Sequence, residues 1–342
     1  MPVEFKESVE CIEGHNAGMP VKVVFLPFVQ GKTMQEKKSY CEKNLDHIRK
    51  MLTYEPRSGS NSYGVVVTKP ADVSAHFGAI YFDPSGWHDM CGHETMFIGS
   101  MAVQRKMITA TPGSVTDIVI DTPAGVVTVH VKVSPVGKVE SVSIVNVPSF
   151  LHSEFKVQTE KYGNVAVSVS FGGNFYGIVN LEKLGLSYSK EILPELNNLA
   201  REILRKLRDK EIVHPVQKGI KGIYGIRFQS KLKHGENEMY GVLFYGNEKS
   251  VSLDRSPSGT GSSAHLAYLY SIEKSVGLNE VVTFMSSIGT KFLTKIISEL
   301  EVGDRRAILP EISSVDKACF ITGFSTYVID AEDPMGAGFE PL

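Results

Sequence analysis

The chain has 342 residues, of which 42% are hydrophobic, and its 36 Lys and Arg against 38 Asp and Glu give a formal net charge of −2. That length suggests about two domains, each able to bury a core, and the composition excludes disordered, collagen-like and disulfide-stapled proteins. Because there is no basic excess, the sequence predicts no nucleic acid partner and no membrane association.

The N-terminal segment and the cysteines predict a cytoplasmic protein. The first ten residues carry three glutamates and one lysine. A secretion signal needs a basic start followed by an apolar run instead. The most apolar early segment, 21–29, contains Lys22 and Pro27 and is shorter than the roughly 20 residues of a membrane helix. The four cysteines lack Cys-x-x-Cys spacing, so we expect free thiols in a reducing compartment.

The first half predicts a strand, an amphipathic helix, two short strands, a turn and a second helix. The second helix follows the sequence Asp-Met-Cys-Gly-His and is small and apolar all the way round, so we expect it to be buried on most sides. A β-hairpin ends this half. These elements span 21–26, 33–52, 63–68, 79–82, 83–86 and 94–107, and the hairpin spans 114–148 with its turn at 122–125.

The second half repeats this plan about one half-chain later, which indicates a duplication rather than a solenoid. The predicted domains are therefore 1–165, which carries Cys91, and 166–342, which carries Ser258. The sequence leaves open a return of the C-terminal tail to the first half. The elements of the second half span 174–179, 189–210, 223–228, 240–245, 254–261 and 262–276.

In each half a loop brings a small reactive side chain, Cys91 or Ser258, to the start of a buried helix. The first turn of a helix has unpaired N–H groups and a partial positive charge, which bind carboxylates and favour thiolate over thiol. The adjacent Gly92 and Gly259 allow a ligand to approach the backbone closely. Two such helix starts facing each other would hold one small anionic substrate and move a proton at the carbon next to its carboxylate.

Other interpretations of these residues compete. Cys91 could be an ordinary packed cysteine, or His88, Cys91 and His93 could form part of a zinc site. The segment 259–264 loosely resembles a dinucleotide-binding loop, but 254–257 interrupts the strand that should precede it. The sequence has no phosphate-binding loop, and Ser258 lacks the Gly-x-Ser-x-Gly frame of a hydrolase.

Residues 90–93 and 254–261 resemble the two signature loops of the proline racemase family, and the likeness covers nearly the whole chain. It implies a diaminopimelate-epimerase-like α/β fold of two pseudo-symmetric domains, each with a curved sheet around a central helix, and an active site in the cleft between them. It also implies a homodimer that acts on a small imino acid without metal or cofactor. Further matching segments are 14–20, 122–125, 171–176 and 321–334.

The second loop departs from the family pattern at Ser258. Racemases and epimerases of the family have cysteine in both loops, whereas its trans-3-hydroxy-L-proline dehydratases keep the first cysteine and usually have threonine in the second. Epimerisation needs an acid and a base with pKa values near the working pH, which a serine hydroxyl does not offer. β-Elimination needs one base at Cα and a donor for the departing hydroxyl.

The resemblance and this departure together predict a hydro-lyase that converts trans-3-hydroxy-L-proline to Δ1-pyrroline-2-carboxylate. The alternative is a proline racemase or hydroxyproline 2-epimerase. A non-catalytic imino-acid-binding protein and a phenazine-biosynthesis-like isomerase are further alternatives. Two more departures are Glu94, where the family commonly has a small residue, and Ser58-Gly59, where Gly-His is common.

Position by position, the resemblance implies that Cys91 accepts the Cα proton and that Ser258 assists the departing hydroxyl from the opposite face. Asp254, together with His93, is expected to bind the ring nitrogen. Tyr63 and Tyr81 are candidates for an apolar wall that excludes water, although ordinary core packing explains them equally well. The N–H groups expected to hold the carboxylate are those of Gly92, His93, Gly259 and Thr260.

Overall fold

The computed structural model describes residues 5–59, 61–232, 237–247, 251–315 and 317–340. The chain divides into two compact units: the first comprises the residues up to Val142 and those after Val315, and the second runs from Ser143 to Val315. The division thus lies earlier than the 165/166 boundary predicted from the sequence. The reason is that the strands from Phe150 onward belong to the sheet of the second unit.

The secondary structure is predominantly β. In chain order the strands are β1 (Phe5–Asn16), β2 (Met19–Phe25), β3 (Gly64–Thr68), β4 (Phe77–Asp83), β5 (Gly86–His88), β6 (Val115–Thr122), β7 (Gly125–Val133), β8 (Val139–Val145), β9 (Phe150–Thr159), β10 (Gly163–Phe171), β11 (Phe175–Asn180), β12 (Ile223–Lys231), β13 (Glu238–Gly246), β14 (Val251–Leu253), β15 (Val282–Met285), β16 (Lys291–Val302), β17 (Arg305–Ser314) and β18 (Cys319–Asp330). The α-helices are α1 (Met34–Asn44), α2 (Asp46–Thr53), α3 (Gly92–Gln104), α4 (Leu193–Leu207) and α5 (Gly259–Tyr268).

The first unit is built on a mixed sheet in the order β18, β1, β2, β3, β4, β6, β7. Strands β2 and β3 are parallel, as are β4 and β6, and the other neighbours are antiparallel. β5 forms a short hairpin with β4. Because parallel neighbours need a crossover connection, α1 and α2 link the first parallel pair and α3 links the second.

The second unit repeats the same pattern of strand directions. Its order is β9, β10, β11, β12, β13, β15, β16, β17, and the parallel pairs are β11–β12 and β13–β15. α4 and α5 are the crossovers, and β14 pairs with β13 as β5 pairs with β4. In this comparison β9 holds the place that β18 holds in the first unit, so the C-terminal strand completes the first copy of the plan.

Helices α3 and α5 are the central helices of their units. Every residue from Gly92 to Val103 is buried, and so is every residue of α5. This burial matches their composition, because a helix that is apolar all round has no face suited to water. Each unit's sheet therefore fixes the start of its central helix, which is where the two signature loops end.

Two glycines let the sheets approach these helices. A Cβ on Gly14 would lie 2.2 Å from the Phe97 ring and 2.5 Å from the Phe320 carbonyl oxygen. A Cβ on Gly172 would lie 2.3 Å from the carbonyl oxygen of Thr260 and 2.5 Å from the backbone nitrogen of Ala264. Only glycine fits such distances, which explains the two matching glycine-bearing segments at 14–20 and 171–176.

The outer helices α2 and α4 are amphipathic and pack one face on the sheet of their own unit. On α4 the buried face contains Leu196, Leu199, Ile203 and Leu207, as the helical spacing predicts. Each such side chain contributes about 1.5–3 kcal/mol when fully buried. This packing attaches each outer helix to the sheet of its own unit.

The helices differ from the sequence-based prediction in two places. The single helix expected over 33–52 is broken at Leu45 (φ −121°, ψ 13°), and a second helix begins at Asp46, whose acidic side chain is favoured in a first helical turn. The helix expected over 262–276 begins earlier, at Gly259, and continues as a π-helical turn over Leu269–Glu273. In the part of the chain that the structure describes, no helix has the length and apolarity needed to cross a membrane.

Candidate active site

Cys91 is the N-cap residue of α3. Its backbone is extended, and its carbonyl accepts hydrogen bonds from Thr95 N at 3.0 Å and Thr95 Oγ1 at 2.7 Å. The Cys91 side chain makes no capping hydrogen bond to the first turn. The backbone is thus fixed without the sulfur taking part in the cap.

Cys91 is also the one accessible thiol. Of the four cysteines, all of which the structure describes, Cys91 is partly exposed and the other three are buried. Burial raises the pKa of Cys11 and of Cys41 to about 12, and it raises the pKa of Cys319 further. Reactivity toward a soluble molecule is therefore confined to Cys91.

His93 contacts the Cys91 sulfur. Its Nδ1 lies 3.2 Å from Sγ, the ring is buried, and that burial lowers the pKa of His93 to about 3. The imidazole is consequently neutral at physiological pH and can donate to a thiolate or accept from a thiol. Tyr63 packs edge-on against the ring with centroids 4.7 Å apart, and Asn16 Nδ2 donates to the His93 carbonyl at 3.0 Å. The sequence did not reveal either contact, and binding of the ring nitrogen by His93 stays a prediction.

Glu94, the next residue, is buried in the same cluster. Burial raises the pKa of its carboxyl well above the ordinary value, the charge of Asp83 adds to this rise, and a hydrogen bond with the Cys91 side chain acts against it. The neutral acid is therefore the favoured form at neutral pH.

A thiol, an imidazole and a carboxyl group thus lie together, with ligand atoms of Cys91, His93 and Glu94 within 4.8 Å of one another. His88, considered from the sequence as a possible ligand, instead places Nε2 2.9 Å from Asp83 Oδ2. A sulfur and a nitrogen bound to one tetrahedral zinc ion would be roughly 3.5 Å apart. The Sγ–Nδ1 distance of 3.2 Å is shorter, so we interpret the three groups as a hydrogen-bonding cluster.

Tyr81 supports the same loop from β4. Its hydroxyl lies 2.6 Å from Thr95 Oγ1, which in turn donates to the Cys91 carbonyl. The ring is completely buried, and this burial raises the pKa of Tyr81 well above its ordinary value. The hydrogen bond of Tyr81 is therefore with the first turns of α3. The apolar wall that the sequence suggested for Tyr63 and Tyr81 stays a prediction.

Ser258 is the N-cap residue of α5 in the second unit. Its Oγ accepts from Gly261 N at 3.2 Å, and its own N–H donates to Ser256 Oγ at 3.1 Å. The residue is buried, with φ at +64°, a conformation that costs a non-glycine residue energy and is typical of functional sites. A Cβ on Gly261 would lie 2.8 Å from Ser258 Oγ, so the capping contact requires glycine there.

Asp254 is linked to Ser258 through Ser256. Its Oδ1 accepts from both the N–H and the hydroxyl of Ser256, each at 2.8 Å. Burial raises the pKa of Asp254 to about 6, while hydrogen bonds from Ser256, the charge of Arg227 and a hydrogen bond from Ser258 act against the rise. Asp254 can therefore change protonation state close to neutral pH.

Arg227 lies beneath this loop and was not predicted from the sequence. It is completely buried; Nη1 donates to the Pro257 carbonyl at 2.9 Å, Nη2 to Ser262 Oγ at 3.1 Å and Nε to His265 Nδ1 at 3.2 Å. A charged residue inside the apolar strand 223–228 was the available signal, because arginine is seldom fully buried without partners.

Two further hydrogen bonds hold α5 and left no signal in the sequence. Tyr176 OH lies 2.6 Å from Thr260 Oγ1, and Asn146 Nδ2 donates to Ser263 Oγ at 2.7 Å. Each depends on a strand or loop distant in sequence, so no local pattern indicates it. The structure thus places the predicted residues in one cluster within each unit: Tyr63, Tyr81, Cys91, Gly92 and His93 in the first, and Asp254, Ser258, Gly259 and Thr260 in the second.

Comparisons with known proteins find similar sequences over nearly the whole chain. A proline racemase of Clostridioides difficile is 35% identical over 98% of this chain and 99% of its own length. A trans-3-hydroxy-L-proline dehydratase of Bacillus thuringiensis is 32% identical over 96% of each chain.

The fold is shared with a solved enzyme as well. The crystal structure of a hydroxyproline epimerase from Agrobacterium vitis with bound trans-4-hydroxy-L-proline matches with a TM-score of 0.89 and 25% identity, over 98% of this chain and 95% of that one. This likeness confirms the predicted fold class. The family model described as proline racemase matches residues 11–340. The chain therefore belongs to the proline racemase family.

Proposed function

We propose that the protein is a hydro-lyase that dehydrates trans-3-hydroxy-L-proline to Δ1-pyrroline-2-carboxylate. The observation that carries this proposal is the difference between the two loops, since Cys91 offers a partly exposed thiol and Ser258 a buried, helix-capping hydroxyl. A relative named for this activity is 32% identical over nearly the whole chain.

In the proposed reaction Cys91 removes the Cα proton as a thiolate. The electron pair of the C–H bond forms the C2=C3 bond, and the C3–O bond breaks with its electron pair on oxygen. A proton joins the departing hydroxide, so water leaves. The cyclic enamine then gains a proton at C3 and loses one from nitrogen to give the Δ1-imine, and no oxidant or reductant is needed.

The substrate carboxylate is assigned to the first-turn N–H groups of Gly92, His93, Gly259 and Thr260. Such groups are prearranged donors beside the positive end of a helix, and they stabilise negative charge that grows during removal of the Cα proton. Asp254 is assigned to the ring nitrogen, which a carboxylate can hold by a charge-assisted hydrogen bond. With a pKa of about 6 it carries its charge above that pH.

Ser258 is assigned the role of a hydrogen-bond donor to the departing hydroxyl. Its oxygen accepts the Gly261 N–H, and its own proton, which is hydrogen-bonded to Asp254, is assigned to turn toward the departing hydroxyl when substrate binds. An alcohol does not ionise near neutral pH, so Ser258 is a poor second base for epimerisation.

Racemisation or 2-epimerisation is the competing function, and one observation favours it. The Asp254 carboxyl, with a pKa raised to about 6 by burial, is hydrogen-bonded to Ser258 and Ser256 and could relay a proton to Ser258. The proline racemase of C. difficile is, moreover, 35% identical.

An activity screen separates the two functions. Purified protein is incubated with L-proline, trans-4-hydroxy-L-proline and trans-3-hydroxy-L-proline, while imino acid formation and optical rotation are followed, with the Cys91→Ser variant as the matched control. The proposal predicts imino acid from the 3-hydroxy substrate alone, and only with the wild type. Racemisation of proline or of the 4-hydroxy substrate without elimination would overturn it.

A further inference from the structure

Glu94 occupies a position that calls for an explanation. It is the third residue of α3 and has 0% exposed surface, and neither carboxyl oxygen has a hydrogen bond of ordinary geometry to any group that the structure describes. A glutamate at this position usually reaches back to the N–H of the N-cap residue in a capping box. Here it does not, although leaving a buried polar group unsatisfied is costly.

The carboxyl group lies instead beside the Cys91 sulfur. Its oxygen is within 4.8 Å of both Cys91 Sγ and a His93 ring nitrogen, and Cys91 is the group that opposes the rise in the pKa of Glu94. Neither carboxyl oxygen makes a hydrogen bond of ordinary geometry, but contacts of catalytic groups are often long or poorly aligned until substrate binds.

The other titratable groups around Glu94 give it no positive partner. Asp83 on β4 is negative and raises the pKa of Glu94, and His93 is a neutral imidazole. Tyr81 on β4, whose pKa is raised in part by Glu94 and Cys91, carries no charge at neutral pH. None of the groups that shift the pKa of Glu94 is a cation.

We infer that Glu94 is a positioning residue that keeps its proton and donates it in a hydrogen bond to the Cys91 thiolate. Two adjacent acids that cannot both ionise share one negative charge. The charge belongs on Sγ, because Cys91 is partly exposed and caps the positive N-terminal end of α3, while Glu94 is completely buried and no cation contributes to its pKa shift. This inference rests on the proposed role of Cys91 as the base, and it adds that the unusual Glu94 sets the pH range in which Cys91 is active.

The experiment measures the Cys91 thiol without substrate. Purified protein with EDTA is treated with iodoacetamide between pH 5 and 10, and the rate of modification of the Cys91 peptide is followed by mass spectrometry. The matched variants are Glu94→Gln, which keeps the size and a neutral donor, and Glu94→Met, which keeps the size without a donor. Thermal unfolding of each variant confirms that the fold is retained.

The inference predicts that Glu94→Gln shifts the thiol titration by less than about half a unit, whereas Glu94→Met raises it by about one to two units, the equivalent of one charge-assisted hydrogen bond. A fall of a unit or more in Glu94→Gln would overturn the inference, because it would mean that an ionised carboxylate had been repelling the thiolate. An unchanged titration in Glu94→Met would overturn it as well. If a variant does not fold, infrared difference spectra of the wild type still test the inference, because they detect protonated carboxyl groups. The inference requires that the Glu94 carboxyl group is protonated at neutral pH.

The kinetic readout separates this inference from the proposed function. Whichever family substrate is turned over, kcat/KM of Glu94→Met at pH 7 should fall by about 10- to 100-fold and recover at high pH, following the thiol titration. Failure of the dehydratase assay leaves the alkylation result intact, while a shifted thiol titration with an unshifted activity profile would show that Cys91 is not the base.

Discussion

Replacement of Arg227 by methionine tests how the Ser258 loop is held. The guanidinium donates three hydrogen bonds, one of them to the carbonyl of Pro257, directly before Ser258. Its positive charge also opposes the rise in the pKa of Asp254 that burial causes. Burial lowers the pKa of Arg227 to about 10, so the variant removes an unfavourable buried charge. The same substitution leaves the buried Asp254 carboxylate without a positive charge beside it.

The size of the effect should depend on pH. Asp254 has a raised pKa in the folded state, so the stability that it contributes is complete below its unfolded pKa of about 4 and is lost as pH rises through the folded value of about 6. Without Arg227 the folded pKa is higher, so the loss continues above pH 6 in the variant alone. The charge of Arg227 also contributes to the low pKa of His265, so that pKa rises in the variant. This rise makes the stability difference between wild type and variant smaller at acid pH.

We therefore expect a loss of about 3 kcal/mol at pH 8, in the range for breaking a buried charged network, and half of that or less at pH 5. Hydrogen exchange of peptides from β12 and α5 measures it, because 3 kcal/mol corresponds to roughly 100-fold faster exchange. Trp87, the single tryptophan, lies in the first unit, so its fluorescence should report an unchanged unfolding transition there. Exposed Arg205→Met is the matched control and should change stability by less than about 0.5 kcal/mol. An equal loss at both pH values would refute the electrostatic role of Arg227.

Three further predictions concern single residues. Iodoacetamide should modify Cys91 alone in the native protein and inactivate it, whereas reaction at a second native cysteine would contradict the burial of the other three. Ser258→Cys should introduce detectable Cα epimerisation, which chiral chromatography measures, and an unchanged product profile would count against Ser258 facing the substrate. Gly172→Ala should lower stability by about 1–3 kcal/mol or more, because backbone atoms of Thr260 and Ala264 cannot yield, while Gly59→Ala, with open space around it, should be neutral in thermal unfolding.

The sequence was most informative where structure is local. All-round apolar composition predicted that α3 and α5 are buried, and the loop sequences placed Cys91 and Ser258 at the helix starts, where the structure has them as N-caps. Local patterns could not reveal that β18 completes the first sheet by pairing with β1, because the two strands are more than 300 residues apart in the chain. Long-range hydrogen bonds such as those of Tyr176 and Asn146 were missed for the same reason.

The dihedral break at Leu45 was missed for a different reason. The apolar spacing continues across it, so periodicity alone predicted one helix, and the apolar pattern does not mark the new first turn that begins at Asp46. Glu94 was visible in the sequence as a departure from the family pattern. Its burial without a cation could be recognised only from the structure.

One incubation tests the central claim most directly. Wild-type protein and the Cys91→Ser variant are each mixed with trans-3-hydroxy-L-proline in deuterated buffer, and the ring carbons and protons are followed by NMR. The account predicts that the wild type replaces the Cα proton signal and the C3 hydroxyl by the cyclic imine, without a 2-epimer, and that the variant leaves the substrate unchanged. Deuterium at Cα of a substrate that keeps its C3 hydroxyl, with accumulation of the epimer, would contradict it.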